Sequence, residues 1–447
     1  APLIVRALVQ GELTGPDATE ELAALATRNA ASELHSIAFA TTASDDVRRI
    51  AIQQLATLSP ANAAGLLPLL GQGSMLLRRV SIQGAAKAPL ADLMHAADAP
   101  DTTSGDVWQA LRLGLERATT AEQLAGVSLA TKHLASAATW EVQARLVGLC
   151  AAFGDDSTLH AVAAQANMRS SATLRLWLVR HAANNPRAFT TLLSLLDDTD
   201  PGVRAQASES IAAYLRRGGV ASATSGPWIA EGARDQVSTA LASRLGSDSW
   251  ALVRRAAART LAVNCGNAAV PALRSAIERD TNVEVQLDAL DALVACDASA
   301  AEAVVIATWS NTSRSAELRE RAVALGARQP KLIARLRQQL RAWRAATSDA
   351  DAQALRLAQK AAVELGRAGA TMPAHRAAIR TDLLDALGDS AYPEIVAAAI
   401  TGLAELGELC GPANNAILAK YLRSDDQMVV LAAKQAIARC KPQANSE

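Results

Sequence analysis

Apolar residues between positions 192 and 215 follow two helical periods that are separated by a polar turn. The stretch begins with a leucine-rich segment and continues through the acidic turn DDTDPG (197–202). It then places Val203, Ala207 and Ile211 on one helical face. Two helices joined by so short a turn form a hairpin that cannot bury its own apolar side. We therefore expect the hairpin to stack on copies of itself.

The second helix of this hairpin recurs along the chain. Aligned on an opening apolar residue, each copy shows a second landmark eight residues later, as in Val47–Leu55 (VRRIAIQQL). The 382 residues from Val47 to Val429 span eleven steps, about 35 residues per repeat, which is a solenoid period. The twelve predicted second helices open at Val47, Leu77, Val107, Val142, Leu174, Val203, Val253, Val285, Leu318, Leu357, Ile395 and Val429.

Composition supports an all-helical core. Hydrophobic residues make up 50% of the 447-residue chain but aromatic residues only 3%, so alanine, leucine and valine must fill the interior. The β-branched and aromatic runs of strands are missing. We predict an all-α fold, an α-solenoid (superhelix) of about twelve stacked antiparallel helical hairpins. The predicted segments are capping helices (1–41), a first repeat block (42–215), a loop insertion (216–235), a second repeat block (236–440) and a flexible tail (441–447).

Several copies share an acidic turn followed by an apolar residue, an arginine and an alanine-rich helix. The best examples are DDTDPGVRAQASESIA (197–212), SDSWALVRRAAARTLA (247–262), RDTNVEVQLDALDALV (279–294) and SDDQMVVLAAKQAIA (424–438). This pattern resembles HEAT repeats, especially the bacterial HEAT-like type first noted in phycobilisome lyases. The resemblance implies the fold but is almost silent on function, because the repeat is a framework for many roles.

The acidic turn has a physical reason in this scheme. Asp200, Asp248, Asp280 and Asp426 precede second helices, where a carboxylate can cap free backbone N–H groups. Arg48, Arg204 and Arg254 can reach back to such carboxylates, which predicts a ladder of Asp–Arg contacts along the stack. The segment 366–375 (GRAGATMPAH) is rich in Gly and contains Pro, and we expect a connector there.

The chain shows no motif of catalysis or of metal or cofactor binding. Its six histidines are scattered singly, without HExxH or CxxC spacing, and no P-loop, GxGxxG or GxSxG motif occurs. Lysine plus arginine and aspartate plus glutamate are equal at 44 each, so net charge does not favour nucleic acid. We expect no enzyme, no cofactor, no metal and no small-molecule substrate. No apolar run is long enough to span a bilayer.

The five cysteines (Cys150, Cys265, Cys296, Cys410 and Cys440) are widely spaced. Equivalent positions on stacked helices lie ~8–10 Å apart between axes, beyond the ~7 Å Cα limit of a disulfide. We expect free, buried thiols and a cytoplasmic location, with a periplasmic or exported protein as the alternative if Ala1 follows a cleaved signal peptide.

Two features depart from a plain repeat surface. The 216–235 loop carries Trp228, which either binds a partner or fills a junction between two stacks. Residues 278–302 carry seven acidic residues against one arginine, and residues 314–344 carry nine basic residues against two glutamates. The two charge blocks either neutralise each other between repeats or leave a basic patch for an acidic partner. The candidate partner-binding residues are Trp228, Arg314, Arg319, Arg321, Arg335, Arg337, Arg341 and Trp343.

Three functions remain open on sequence alone. The first is a non-catalytic scaffold or adaptor that binds another protein through a concave groove and the 216–235 loop. The second is a nucleic-acid binder similar to HEAT-like alkylpurine DNA glycosylases, which needs Arg48, Arg49, Arg78, Arg79, Arg254 and Arg255 to project into the groove. The third is a HEAT-like lyase or regulatory enzyme, which rests on the resemblance alone. We expect the scaffold.

Overall fold

A computed structural model describes residues 2–99, 104–218, 231–345, 352–389, 391–409 and 415–440 of the chain. These residues form helices joined by short turns, and no β-strand occurs among them. The prediction of an all-α fold is therefore confirmed. The chain divides into two compact units, residues 1–230 and 231–447.

Unit 1 is a stack of helical hairpins. The second helices α4, α6, α8, α10, α13 and α15 pack each against the next, and α3, α7, α9 and α14 pack against the second helices that follow them. Its helices are α1 Pro2–Gln10, α2 Gly15–Thr27, α3 Ala31–Phe39, α4 Asp45–Leu58, α5 Pro60–Ala64, α6 Met75–Ala85, α7 Leu90–Asp98, α8 Gly105–Leu115, α9 Thr120–Leu134, α10 Trp140–Phe153, α11 Asp156–Ala163, α12 Ala166–Ser170, α13 Ala172–Ala182, α14 Phe189–Ser194 and α15 Pro201–Gly218. Short 3-10 turns occupy Leu67–Leu69 and Leu195–Asp197.

Unit 2 repeats the arrangement, with α17, α19, α21, α23, α25 and α27 as successive second helices in contact. Its helices are α16 Glu231–Ser247, α17 Ala251–Asn264, α18 Ala269–Arg279, α19 Val283–Cys296, α20 Ala298–Ser310, α21 Ala316–Gly326, α22 Ile333–Ala345, α23 Ala352–Thr371, α24 Pro373–Ala386, α25 Pro393–Glu405, α26 Asn415–Tyr421 and α27 Gln427–Cys440. A 3-10 turn spans Pro330–Leu332. Each of the twelve predicted second helices is a helix, so the solenoid of stacked hairpins is confirmed.

Helix capping explains why the opening apolar residue is so regular a landmark. In eight of the twelve second helices a polar side chain three residues earlier accepts a hydrogen bond from the backbone N–H of that residue. Ser44 caps Val47 in this way, and Asp200 caps Val203. The landmark is therefore the third helical residue, whose N–H has no partner inside the helix. Its side chain then points into the core, as for Val203, which is fully buried.

Of the three arginines predicted to form an Asp–Arg ladder, Arg254 pairs with a carboxylate, which belongs to the next repeat, while Arg48 and Arg204 donate to backbone oxygens. The guanidinium of Arg254 on α17 donates to both carboxylate oxygens of Asp280, in the turn before α19, at 2.6 and 2.9 Å. The same side chain reaches back to the backbone oxygen of Asp248 in its own turn, at 2.9 Å. Arg254 thus ties its own turn to the next one. The pairs Arg78–Asp106 and Arg175–Asp198 repeat the forward contact in unit 1.

The expectation of a connector at 366–375 is wrong for its first half. Residues up to Thr371 continue α23, and Pro373 begins α24 after a single non-helical residue. A Cβ on Gly366 would lie 2.6 Å from both the Cα and the carbonyl carbon of Gly402 on α25, so only glycine fits this helix crossing. The glycine therefore marks close packing of two second helices and does not end the helix.

The expectation of five free thiols is wrong for two of them, while Cys410 and the side chain of Cys440 lie outside the described residues. Cys265 and Cys296 form a disulfide, with their Cα atoms 5.1 Å apart. Cys265 is not on a helix axis: it follows α17 with left-handed backbone angles (φ 45°, ψ 34°), while Cys296 is the last residue of α19. The axis-to-axis distance therefore overestimated their separation. Cys150 is a buried free thiol, as expected.

Candidate partner-binding surface

Three of the predicted partner-binding arginines hold unit 2 together. Arg314 donates to the backbone oxygen of Ile277 at 2.9 Å, and Arg319, which is buried, donates to that of Trp309 at 3.0 Å. Arg321 makes two hydrogen bonds of 2.6 Å to the carboxylate of Asp291, in the acidic block. The contacts of Arg314 and Arg321 join neighbouring repeats, and that of Arg319 joins the two helices of one hairpin, so all three guanidinium groups are engaged within unit 2.

The rest of the basic block faces a second acidic cluster that lies on and just after α24. Arg337 and Arg341 both pair with Asp382. Trp343 is buried in the core. Arg335 is exposed and has no hydrogen-bond partner within the described chain. Charge neutralisation between helices thus accounts for most of the block, and its role in partner binding stays a prediction, as does that of Trp228, which lies outside the described residues.

The six arginines of the nucleic-acid alternative are mostly engaged in contacts within the protein. Arg48 donates to the backbone oxygen of Ala38 at 3.1 Å, and Arg255 pairs with Glu284 and Asp288. Arg78 and Arg254 belong to the ladder, and Arg49 lies 3.5 Å from Asp46. Arg79 is the exception: it is exposed and has no polar partner within the described chain.

The sequence reading missed a set of exposed apolar side chains at the starts of second helices. Met75 and Leu76 open α6 with 87% and 44% of their surface exposed, and Trp140 opens α10 at 52%. In unit 2, Trp250 and Leu252 flank the start of α17 at 56% and 54%. Each lies one to three residues before the landmark of its helix. That offset was the available signal, because capping and core packing do not require an apolar residue there.

In unit 1, Met75 lines an open pocket on the second-helix surface. The pocket has a volume of about 460 Å³ and lies between α6, α8 and α10. Met75, Ile82 and Leu113 give it apolar walls, and Arg79 and Arg145 add guanidinium groups. It is thus an open groove in which apolar and charged side chains lie side by side.

An aromatic cluster continues this surface from α10 to α13. The rings of Trp140 and Trp177 meet edge to face with centroids 6.2 Å apart, and the ring of His181 lies 4.8 Å from that of Trp177. Gly148 makes room for Trp177, because a Cβ there would come within 3.1 Å of the indole nitrogen. Trp140 thus keeps one half of its indole exposed on a rigid base of packed rings.

Positive charge surrounds the imidazole of this cluster. Burial lowers the pKa of His181, and the charges of Arg112, Arg180 and Arg145 lower it further. His181 is therefore neutral at pH 7. The three arginines approach it from three successive second helices, so the surface from α8 to α13 is both aromatic and cationic.

Nowhere in the described ranges do three or more His, Cys, Asp or Glu side chains group in a way that could hold a metal ion. Across the same ranges, no helix combines the length and the apolar character needed to cross a membrane.

No protein-family model matches the chain, and no curated protein matches its sequence. Solved structures do match. An importin beta crystallised in ammonium sulfate aligns over 96% of this chain and 64% of its own, with 11% identity and a TM-score of 0.44. The Kap95:Nup1 complex aligns over 98% and 62%, with 12% identity and a TM-score of 0.46. An engineered protein aligns over 98% and 99%, with 21% identity and a TM-score of 0.30.

This chain thus spans less than two thirds of the importin chain. With TM-scores below 0.5, these likenesses carry no argument about function, and none concerns a lyase. The architecture rests on the packing of the chain's own helices. Its stacked hairpins and their ladder of turn contacts are those of a HEAT-like helical-repeat fold.

Proposed function

We propose that this protein is a non-catalytic scaffold that binds another protein on the surface formed by its second helices. The exposed apolar residues at the starts of α6 and α10 carry the proposal in unit 1, and those at the start of α17 form a candidate surface of unit 2 by itself. Trp140 and Trp250 each leave more than half of a large indole in water, although neither caps its helix through its side chain. Exposed tryptophans are favoured anchors at protein interfaces, where they are buried on binding.

The contacts of the arginines support a protein partner over a nucleic acid. Nucleic-acid binding draws on many phosphate contacts from free lysine and arginine side chains. Of the six arginines that the alternative requires, Arg79 is the one with neither a carboxylate nor a carbonyl partner in the described structure. Carboxylates such as Glu141 also lie on the same surface. A contribution of residues 216–235 stays a prediction, because 216–218 and 231–235 belong to α15 and α16 and residues 219–230 lie outside the described structure.

The disulfide bears on the compartment. Stable disulfides are rare in the reducing cytoplasm and common in exported proteins. We infer that the Cys265–Cys296 bond favours an oxidising compartment, such as the periplasm, over the cytoplasm predicted from free thiols. A fusion to a reporter that is active in one compartment only tests this directly.

Affinity capture with matched variants tests the binding surface. The test variant carries Met75→Ser and Trp140→Ser, and the control carries Leu3→Ser and Leu124→Ser, which are exposed on α1 and α9. Circular dichroism should give all three proteins the same helix content. We expect wild type and control to capture the same partner from an extract of the source cells, and the test variant to lose it. Equal capture by all three proteins would refute the proposed surface.

A further inference from the structure

Three arginines on the second-helix surface of unit 1 lack the carboxylate partners that the ladder arginines have. Arg145 on α10 donates to the amide oxygen of Gln109 at 3.1 Å, and Arg180 on α13 donates to that of Gln206 at 3.4 Å. Arg79 on α6 has no polar partner in the described structure. Neutral glutamines can orient a guanidinium but cannot balance its charge. Arg145 and Arg180 are therefore held in place by neutral partners, and the charges of all three arginines are left uncompensated.

The acidic groups nearby do not change this. Glu141 accepts a hydrogen bond from Arg78 at 3.2 Å, and Arg78 also pairs with Asp106. Glu116 lies 3.5 Å from Arg112 on the same helix. The five arginines of this surface, at positions 78, 79, 112, 145 and 180, thus face three carboxylates, at positions 106, 116 and 141, which leaves two positive charges in excess.

We propose that this cationic surface, formed by Arg79, Arg145 and Arg180 beside Trp140, binds an extended acidic segment of another protein. The inference rests on the proposed scaffold function and names the chemistry of the partner. Carboxylates of the segment pair with the three arginines, and an apolar side chain between them packs on the exposed half of Trp140. Charge-assisted hydrogen bonds to guanidinium are the strongest that a peptide carboxylate can make.

The spacing of the helices sets the spacing of the acidic residues. Packed helix axes lie ~8–10 Å apart, and an extended chain advances ~3.3–3.6 Å per residue. Arg145 and Arg180 are on neighbouring second helices, so their carboxylates should be about three residues apart in the peptide. Arg79 is two second helices from Arg145 but lines the same groove, so its carboxylate should lie within about six residues of the one that meets Arg145. We therefore expect the partner's segment to carry an acidic residue at about every third position, with apolar residues between them.

A labelled synthetic peptide tests the proposal by fluorescence anisotropy with the full chain. The probe is about 12 residues long, repeats Asp-Ser-Leu, and carries fluorescein at one end. The test variant is Arg145→Gln with Arg180→Gln. The control is Arg28→Gln with Arg169→Gln, which removes the same charge from two exposed arginines outside this surface. We expect the test variant to bind at least tenfold more weakly than wild type, and the control to bind within about twofold of it.

Arg79→Gln provides a second test because that side chain has no hydrogen bond to lose within the protein. It should weaken binding severalfold without lowering the thermal midpoint. An Asn-Ser-Leu peptide should not bind, and added salt should weaken the acidic peptide. If test and control variants bind the acidic peptide equally, or if the neutral peptide binds as well as the acidic one, the inference is wrong.

Two further outcomes separate the possible failures. The first uses a single-stranded oligothymidine of similar charge. If it binds more tightly than the peptide, and if Arg145→Gln with Arg180→Gln weakens its binding equally, the partner is a nucleic acid and not an acidic protein segment. If the acidic peptide does not bind wild type while Met75→Ser with Trp140→Ser still abolishes partner capture, the scaffold function stands and the acidic partner is wrong. If the peptide binds and no partner depends on Trp140, the scaffold surface needs revision.

Discussion

The close crossing of α23 and α25 gives the sharpest test of the fold. Gly366 and Gly402 face each other there, and the backbone of each helix occupies the space of a Cβ on the other. Replacing Gly366 by alanine would place a methyl group 2.6 Å from the Cα and the carbonyl carbon of Gly402, and closer still to its oxygen. Ordinary contact begins at 3.4 Å, so the helices must separate by at least 0.8 Å at this point.

Two effects of opposite sign set the size of the change. Alanine is the better helix former by about 1 kcal/mol. Overpacking in a buried site costs about 1–3 kcal/mol, and here the upper end applies because the opposing atoms are backbone and have no rotamer to change. We expect Gly366→Ala to lower the free energy of unfolding by roughly 2 kcal/mol. In a unit of 217 residues (231–447), each kcal/mol of lost stability lowers the thermal midpoint by about 2–4 °C.

Thermal unfolding followed by circular dichroism measures the change, with two other variants for comparison. Gly369→Ala meets the end of the flexible Leu406 side chain, so it should cost less than Gly366→Ala. Gly246→Ala on α16 meets no atom within 4 Å and should leave the midpoint unchanged or raise it. If Gly366→Ala is as stable as Gly246→Ala, the helices do not approach as closely as described and the argument from close packing fails.

The remaining predictions concern the disulfide, the ladder and its pH dependence. The bond joins cysteines 31 residues apart, so in the chain-entropy account its loss costs roughly 3–4 kcal/mol; reductant should lower the midpoint of wild type but not that of Cys265→Ser with Cys296→Ser, and an equal response of both would refute the bond. Because burial raises the pKa of Cys150 to about 11, we expect that thiol to resist alkylation at pH 8 until the protein unfolds, as peptide mapping can show. Arg175→Ala leaves the buried carboxylate of Asp198 unpaired and should cost about 3–5 kcal/mol in urea denaturation; a loss under about 1 kcal/mol contradicts its structural role. Burial alone would raise the pKa of Asp280, but hydrogen bonds from Arg254 and from the Asn282 amide outweigh it and lower that pKa. The stability from this pair is therefore complete above the ordinary aspartate pKa of about 3.9 and is lost as pH falls through the lower folded value; the stability difference between wild type and Asp280→Asn should be constant from pH 7 to about 5 and shrink below about 4, and a difference unchanged at pH 3 would contradict this assignment.

The sequence by itself determined the helices and their order. An apolar residue at the third helical position, with a capping side chain three residues before it, is a local pattern that needs no knowledge of the fold. The opening apolar residue and the second landmark eight residues later located all twelve second helices and the mean repeat length, and the capping side chain is present in eight of them. The sequence also placed arginine one residue after the landmark, and so predicted that a ladder exists. These features are local because backbone capping and helical periodicity act within a few residues.

Only the tertiary structure determines which distant residues each side chain contacts. Gly366 has the sequence context of a helix break and lies inside a helix, because the constraint comes from Gly402, 36 positions away. Cys265 reaches Cys296 because the chain leaves α17 in a left-handed turn, which an axis-to-axis distance does not include.

Arg341 and Arg145 look alike in sequence. In the described structure, the charge of Arg341 is neutralised by Asp382 of another helix. The guanidinium of Arg145 instead donates to the neutral amide oxygen of Gln109. Whether a charge is available to a partner depends on residues 36 or more positions away, and helical periodicity carries no information about them.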